Sequence, residues 1–180
     1  MSLKKYIPTY VYESIYDIEF LHLYEANIRL LFVDIDNTLA PYDENTPTKE
    51  AHQLIESLLL MGFEVILISN NNKKRVETYA KPLNVPYVYF ALKPLKRGFK
   101  RGLKLVDKNY QPEEVLIIGD QLMTDIVGGN KMGFQTALVK PLKKKSDILT
   151  TRFNRRREVR VLRKLEKKYK EAYDSIKKIL

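Results

Sequence analysis

Apolar and polar residues alternate along this chain in blocks whose lengths separate strands from helices. Four short apolar runs, Leu30–Val33, Phe63–Ile68, Tyr87–Ala91 and Val115–Ile118, each end in polar residues. Runs of that length read as strands buried on both faces of a parallel sheet. A fifth run, Thr136–Val139, closes the series. Between the strands the apolar spacing changes to three or four. Ala51, Leu54, Ile55, Leu58 and Leu59 form one such stripe, with Thr46-Pro47 as N-cap and first helical position and Gly62 as the stop. Lys73–Lys81 turns Val76, Tyr79 and Ala80 inward. Pro94 opens a helix whose inner face is Leu95, Phe99, Leu103 and Val106, and another runs from about Met123 to Met132. Strand then helix, four times over with a closing strand, predicts an α/β fold: a Rossmann-like, doubly wound parallel sheet. Residues 1–29 show no such period and read as an irregular lead-in, with a short helix near Ile18–Glu25.

Composition adds limits. The chain has 180 residues and no cysteine, which excludes disulfides and thiol chemistry. Neither an apolar leader nor an uninterrupted apolar stretch of membrane-spanning length is present, so a cytoplasmic location is expected. The formal net charge of +10 is unevenly placed: residues 1–139 sum to −1 and residues 140–180 to +11. This predicts a near-neutral domain, residues 1–142, followed by a basic extension, residues 143–180. Such an extension implies an anionic partner.

The chemistry concentrates where strands end, since ligands of open α/β sheets bind outside the strands' carboxyl ends. The first strand runs into Asp34-Ile35-Asp36-Asn37-Thr38. Alternation along an extended chain points Asp34 and Asp36 the same way. Two carboxylates so placed suit Mg²⁺ and a phosphorylated substrate, one attacking phosphorus while the other moves a proton. An Asp-rich turn would look similar in isolation. The second strand ends in Ser69-Asn70, candidate phosphate ligands, although Ser69 equally suits a helix cap. Beyond the third comes Lys93, a point charge for the phosphoryl group. The fourth gives Gly119-Asp120 and, five residues on, Asp125: acids for an oxygen-rich metal site.

Taken together, D-I-D-N-T-L at 34–39, Ser69, Lys93 and G-D-Q-L-M-T-D at 119–125 resemble motifs one to four of the haloacid dehalogenase (HAD) superfamily of Mg²⁺-dependent phosphohydrolases. More narrowly, A-L-K-P at 91–94 and G-D-Q-L-M-T-D-I-V-G-G-N at 119–130 resemble its small YqeG-like subfamily (IIIA), a branch similar to the mitochondrial and plastid phosphatidylglycerophosphate phosphatases. The resemblance spans roughly Lys4 to Val139. It implies that Asp34 attacks phosphorus to give an aspartyl phosphate. Asp36 would then act as acid and base, and Ser69 and Lys93 would grip the phosphoryl group. Mg²⁺ would be held by Asp34, the Asp36 carbonyl, Asp120 and Asp125.

Asp34 to Ser69 spans 35 positions and Ser69 to Lys93 spans 24, both filled by the predicted elements. No room is left for the lid that capped relatives insert there. A capless, open site favours a bulky phosphorylated substrate, with a phosphatidylglycerophosphate-type lipid first. A nucleic-acid or protein phosphate is the alternative, and a non-catalytic polyanion-binding protein a third. Beyond Val161, residues Leu162, Leu165, Tyr169, Tyr173, Ile176 and Leu180 recur at helical spacing among Lys and Arg, following a polar link at 146–154. This basic amphipathic helix suits an anionic membrane surface, so peripheral association at the inner face of the membrane is one expectation. Packing on the chain's own core or a second copy is another, and no nucleic-acid motif accompanies it.

Overall fold

The computed structural model describes residues 2–143 and 149–180, and in the second stretch the side chains from residue 157 onward. Among these residues six strands form one wholly parallel sheet: β1 (Tyr10–Tyr12), β2 (Leu30–Val33), β3 (Glu64–Ile68), β4 (Tyr87–Val88), β5 (Val115–Gly119) and β6 (Gln135–Val139). The order is β1-β6-β5-β2-β3-β4, so the chain winds both ways from β2, as a doubly wound sheet does. The helices are α1 (Phe20–Glu25), α2 (Lys49–Leu60), α3 (Lys73–Ala80), α4 (Lys96–Leu103), α5 (Val127–Met132), α6 (Leu149–Lys168) and α7 (Lys170–Lys177).

The central strand explains the layering. Leu30 to Val33 are all fully buried, and alternation divides them between two cores. Leu31 and Val33 pack with Phe20, Leu23, Ile55, Leu58, Val76 and Tyr79, beneath α1, α2 and α3. Leu30 and Phe32 pack on the other face with Ile66, Ile117, Phe99 and Phe134. Phe32 meets Phe99 edge-on at 5.7 Å and stacks on Phe134 at 5.8 Å, arrangements that ring quadrupoles favour.

The lead-in is more ordered than its sequence suggests. Tyr10–Tyr12 adds an edge strand beside β6, in register with Ala137–Val139. Thr9 and Thr136 fasten its start by exchanging backbone N–H to side-chain hydroxyl bonds of 3.1 and 3.2 Å. The cap of α2 is Thr48, whose hydroxyl accepts from Ala51 N at 3.1 Å, two residues later than the pattern suggests. The third strand stops at Val88, because the chain then leaves the sheet through left-handed backbone at Phe90 (φ 41°) and Leu92 (φ 56°). The helix expected at Met123–Met132 begins as a wide turn, Leu122–Ile126, and becomes α-helical at Val127.

The C-terminal stripe meets the chain's own sheet. Val161, Leu165, Ile176 and Ile179 are buried in one cluster with Leu122, Ile126 and Leu138, and with Leu3, Tyr6, Ile7 and Val11 at its margin. The helix starts before Val161 and breaks at Tyr169 (φ −144°, ψ 63°), which turns α7 onto the same cluster. The polar link expected at 146–154 enters α6 at Leu149, and residues 144–148 of the basic run lie outside the described residues. Among the described residues no helix is long and apolar enough to cross a membrane.

Candidate active site

Four strand ends converge on one buried constellation. Asp34 follows β2 directly, and its backbone N–H still bonds Ile118 O of β5 at 2.9 Å, so the sheet itself aims the carboxylate. The next residues fold into a tight loop in which Thr38, Leu39 and Ala40 all donate to Ile35 O, with Asn37 left-handed at φ 64°. That loop returns Thr38 Oγ1 to Asp34 Oδ2 at 3.3 Å. Asn37 and Thr38 are buried, and both shape the loop that follows the two acids.

Lys93 is the hub. Its ammonium is 2.5 Å from Asp34 Oδ1 and 2.6 Å from Asp125 Oδ1, and donates to Ile68 O at 3.2 Å. A point charge with three donors suits three oxygens on different strand ends. Burial disfavours its charged form, but Asp125 and Asp34 outweigh that and hold its pKa above the ordinary lysine value. Asp34 moves the other way from most paired carboxylates. Desolvation, helped by Asp125 and Asp36, overcomes the pull of Lys93 and raises its pKa to about 7.

Asp125 is fully buried and accepts from Gln121 N and Thr124 Oγ1, both at 3.2 Å, within the wide turn. Gly119 makes this possible: a Cβ there would lie 2.3 Å from Asp125 Cγ. Asp34, Asp120 and Asp125 each offer an oxygen within 4.8 Å of the others. These donors fit a hard divalent cation, which prefers carboxylate oxygen. Charge points the same way: Asp34 and Asp125 share the one ammonium of Lys93.

Asp36 is held apart from this cluster. Ser69 Oγ donates to its Oδ2 at 3.0 Å and itself accepts from Asn71 N at 3.0 Å, so the hydroxyl serves the turn and the acid at once. Arg75 was not evident from sequence. Its Nε and Nη2 lie 3.3 and 3.1 Å from Asp36 Oδ1, its Nη1 reaches Glu44 O, and its guanidinium sits 5.7 Å from the Tyr79 ring. Asn70 stands beside the site but turns its amide to the backbone of Lys93: Oδ1 accepts from Lys93 N at 2.7 Å and Nδ2 donates to Lys93 O at 3.1 Å. The structure therefore brings Asp34, Lys93, Asp120 and Asp125 together, places Ser69 on Asp36, and makes Asn70 the mount of the lysine.

Residues 1–143 match the family described as mitochondrial PGP phosphatase. The chain is 36% identical over 168 residues to the probable phosphatase YqeG of Bacillus subtilis, covering 93% of this chain and 96% of that one. Its fold resembles that of the putative HAD-hydrolase YfnB of Bacillus subtilis, solved bound to magnesium (TM-score 0.51, 15% identity, 69% of this chain and 91% of that one). It also resembles the cobalt-bound deoxy-D-mannose-octulosonate 8-phosphate phosphatase YrbI of Haemophilus influenzae (TM-score 0.50, 16% identity, 63% and 69%).

Proposed function

The chain belongs to the mitochondrial PGP phosphatase family and is a HAD-type, YqeG-like phosphatase, and from that membership we propose a Mg²⁺-dependent hydrolysis of a phosphatidylglycerophosphate-type lipid through an aspartyl phosphate. The observation that carries this reading is the Lys93 hub, which joins Asp34 and Asp125 within 2.6 Å beside the three-carboxylate cluster. Phosphoryl transfer is mostly positioning and charge neutralisation, and this cluster supplies both.

Asp34 is the nucleophile. An Oδ lone pair forms the new P–O bond as the P–O bond to the leaving alcohol breaks, and Asp36 gives that oxygen its proton. Water then attacks the phosphorus of the aspartyl phosphate. Asp36 takes the water's proton, and Asp34 and inorganic phosphate are released. Lys93 neutralises charge on the attacking carboxylate and the transferring phosphoryl oxygens, and Ser69 holds Asp36 in reach through their 3.0 Å bond. Asp34, Asp120, Asp125 and the Asp36 carbonyl would hold Mg²⁺, which when bound supplies Lewis-acid neutralisation of phosphoryl charge.

Two features support a bulky substrate. The connections between β2 and β3 and between β3 and β4 each hold one α-helix, the second followed by a short 3-10 turn at Lys81–Leu83, with no inserted lid, and the family's description points to a lipid headgroup. Mg²⁺-dependent phosphate release from phosphatidylglycerophosphate in mixed micelles, beside a soluble aryl phosphate, tests the reading. Wild type turns over both, and Asp34→Asn loses at least about 10³-fold on each. Aryl turnover without lipid turnover would move the substrate to nucleic-acid or protein phosphates. An active Asp34→Asn variant would overturn the nucleophile.

A further inference from the structure

We propose that the loop after β4, residues 89–95, is the surface by which the active-site mouth seats on an anionic lipid bilayer; the idea rests on the lipid-substrate reading. Along this loop, inward and outward residues alternate with unusual chemistry. Ala91 and Lys93 turn in, at 1% and 6% exposure, whereas Phe90, Leu92 and Leu95 turn out, at 50%, 51% and 56%. Polar residues normally fill outward loop positions, and single exposed leucines are unremarkable. Here three large apolar side chains flank the lysine at the centre of the site.

The loop is held in this pose. Phe90 N bonds Asn71 O at 2.9 Å, Ala91 N bonds Ser69 O at 3.0 Å, and Asn70 clamps both backbone groups of Lys93. Behind it, α4 presses so closely that a Cβ on Gly98 would lie 2.3 Å from Ala91 O. Left-handed φ at Phe90 and Leu92 is strained for a non-glycine residue, so the neighbouring structure sustains the outward aim.

Charge identifies the occupant. Lys73 and Lys74 open α3 just after the Asn71 contact, and Lys96 and Arg97 open α4 just after Leu95, all four exposed. Exposed apolar side chains followed by cations at a helix start match the boundary between anionic headgroups and acyl chains. The other run of exposed apolar residues, Leu59–Met61, closes α2 at the opposite end of the strands, with Glu56 and Glu64 as its charged neighbours in sequence. Acids, not the cations a bilayer would select, flank that run in sequence. Val161, Leu165, Ile176 and Ile179 of the C-terminal helices are buried against the sheet, whereas Phe90, Leu92 and Leu95 stand exposed beside Lys93.

Co-sedimentation with substrate-free vesicles, phosphatidylglycerol and phosphatidylcholine at 1:1 against phosphatidylcholine alone, tests the seat without requiring turnover. Wild type binds the anionic vesicles. The variant Phe90→Asn, Leu92→Asn, Leu95→Gln uses asparagine where φ is positive, and binds roughly ten-fold more weakly while keeping aryl phosphate turnover. The variant Lys73→Gln, Lys74→Gln, Lys96→Gln, Arg97→Gln weakens binding similarly and flattens its dependence on anionic lipid. Lys164→Gln with Lys167→Gln, on α6, leaves binding unchanged. Binding that survives the loop changes but falls with the α6 changes would overturn the proposal, as would failure of wild type to bind. Self-association that the loop variant abolishes, with no vesicle binding, would also overturn it by naming a second copy as occupant. Loop-dependent binding without phosphatidylglycerophosphate turnover would sink the substrate and leave the seat.

Discussion

Two regions of this molecule are dense in charge, and they use it oppositely. At the strand ends, Asp34, Asp36, Asp120, Asp125 and Lys93 are almost wholly buried, so each charge is held by a named partner or a shared cluster. In the C-terminal helices the cations from Arg160 to Lys178 are exposed, while Val161, Leu165, Ile176 and Ile179 are buried against the sheet. That second region, residues 149–180, carries a net charge of +8, yet an exposed charge contributes little to stability. Burial, not charge count, marks where electrostatics decides structure and chemistry.

The sharpest way to break this contrast is Lys93→Met. It leaves Asp34 and Asp125 facing each other without the hub, and costs about 3–5 kcal/mol in urea unfolding of the metal-free protein at pH 8. Turnover is lost as well, and added Mg²⁺ restores part of the stability. Unchanged stability would mean the buried charges are not coupled. Next in size is Leu165→Ala, which opens a cavity between α6 and the sheet and lowers unfolding free energy by about 2–5 kcal/mol. A change near zero would show that the C-terminal helices do not dock.

Smaller, and specific to the buried region, is a pH effect. The pKa of Asp34 is raised from 3.8 to about 7 by burial. Its contribution to stability is therefore fully present below pH 3.8 and is lost as pH rises through 7. Metal-free wild type should lose stability between pH 5 and pH 8 relative to Asp34→Asn, by urea denaturation at each pH. For the same reason Mg²⁺ binds more tightly as pH rises across that range and releases protons, read by calorimetry in two buffers. Smallest of all, Lys164→Gln with Lys167→Gln shifts unfolding by less than about 0.5 kcal/mol.

The contrast also explains what the sequence could and could not reveal. Asp34, Asp36, Lys93, Asp120 and Asp125 were legible because strand periodicity ends abruptly in acids or a lysine, where ligands of open α/β sheets bind. Arg75 was not, since on α3 it follows Lys73 and Lys74 and resembles another solvated cation. Only the fold brings it to Asp36, 39 positions away. Asn70 was expected on phosphate beside Ser69, at the end of the second strand. Its engagement with Lys93 depends on the conformation of a loop 23 positions away, which composition does not encode. β1 escaped notice because Tyr10-Val11-Tyr12 is short and half-buried throughout, with no alternation to display. The stripe from Leu162 to Leu180 signalled an apolar face as far as Ile176, after which Ile179 is buried and Leu180 exposed; a helical period names a face and not what covers it.

That cover has a consequence at the rim of the sheet. β1 is an edge strand, and its neighbours Pro8 to Glu13 line one groove with Glu171, Ala172, Ser175, Lys178 and Ile179 of the C-terminal segment. Open edges invite strand addition by other chains, which proteins prevent by covering or charging them. Here α7 and the residues after it run along the vulnerable border, with Glu171 and Lys178 placing charge in the groove. A chain shortened before α7 would keep its strand-end chemistry intact and lose its guard against aggregation.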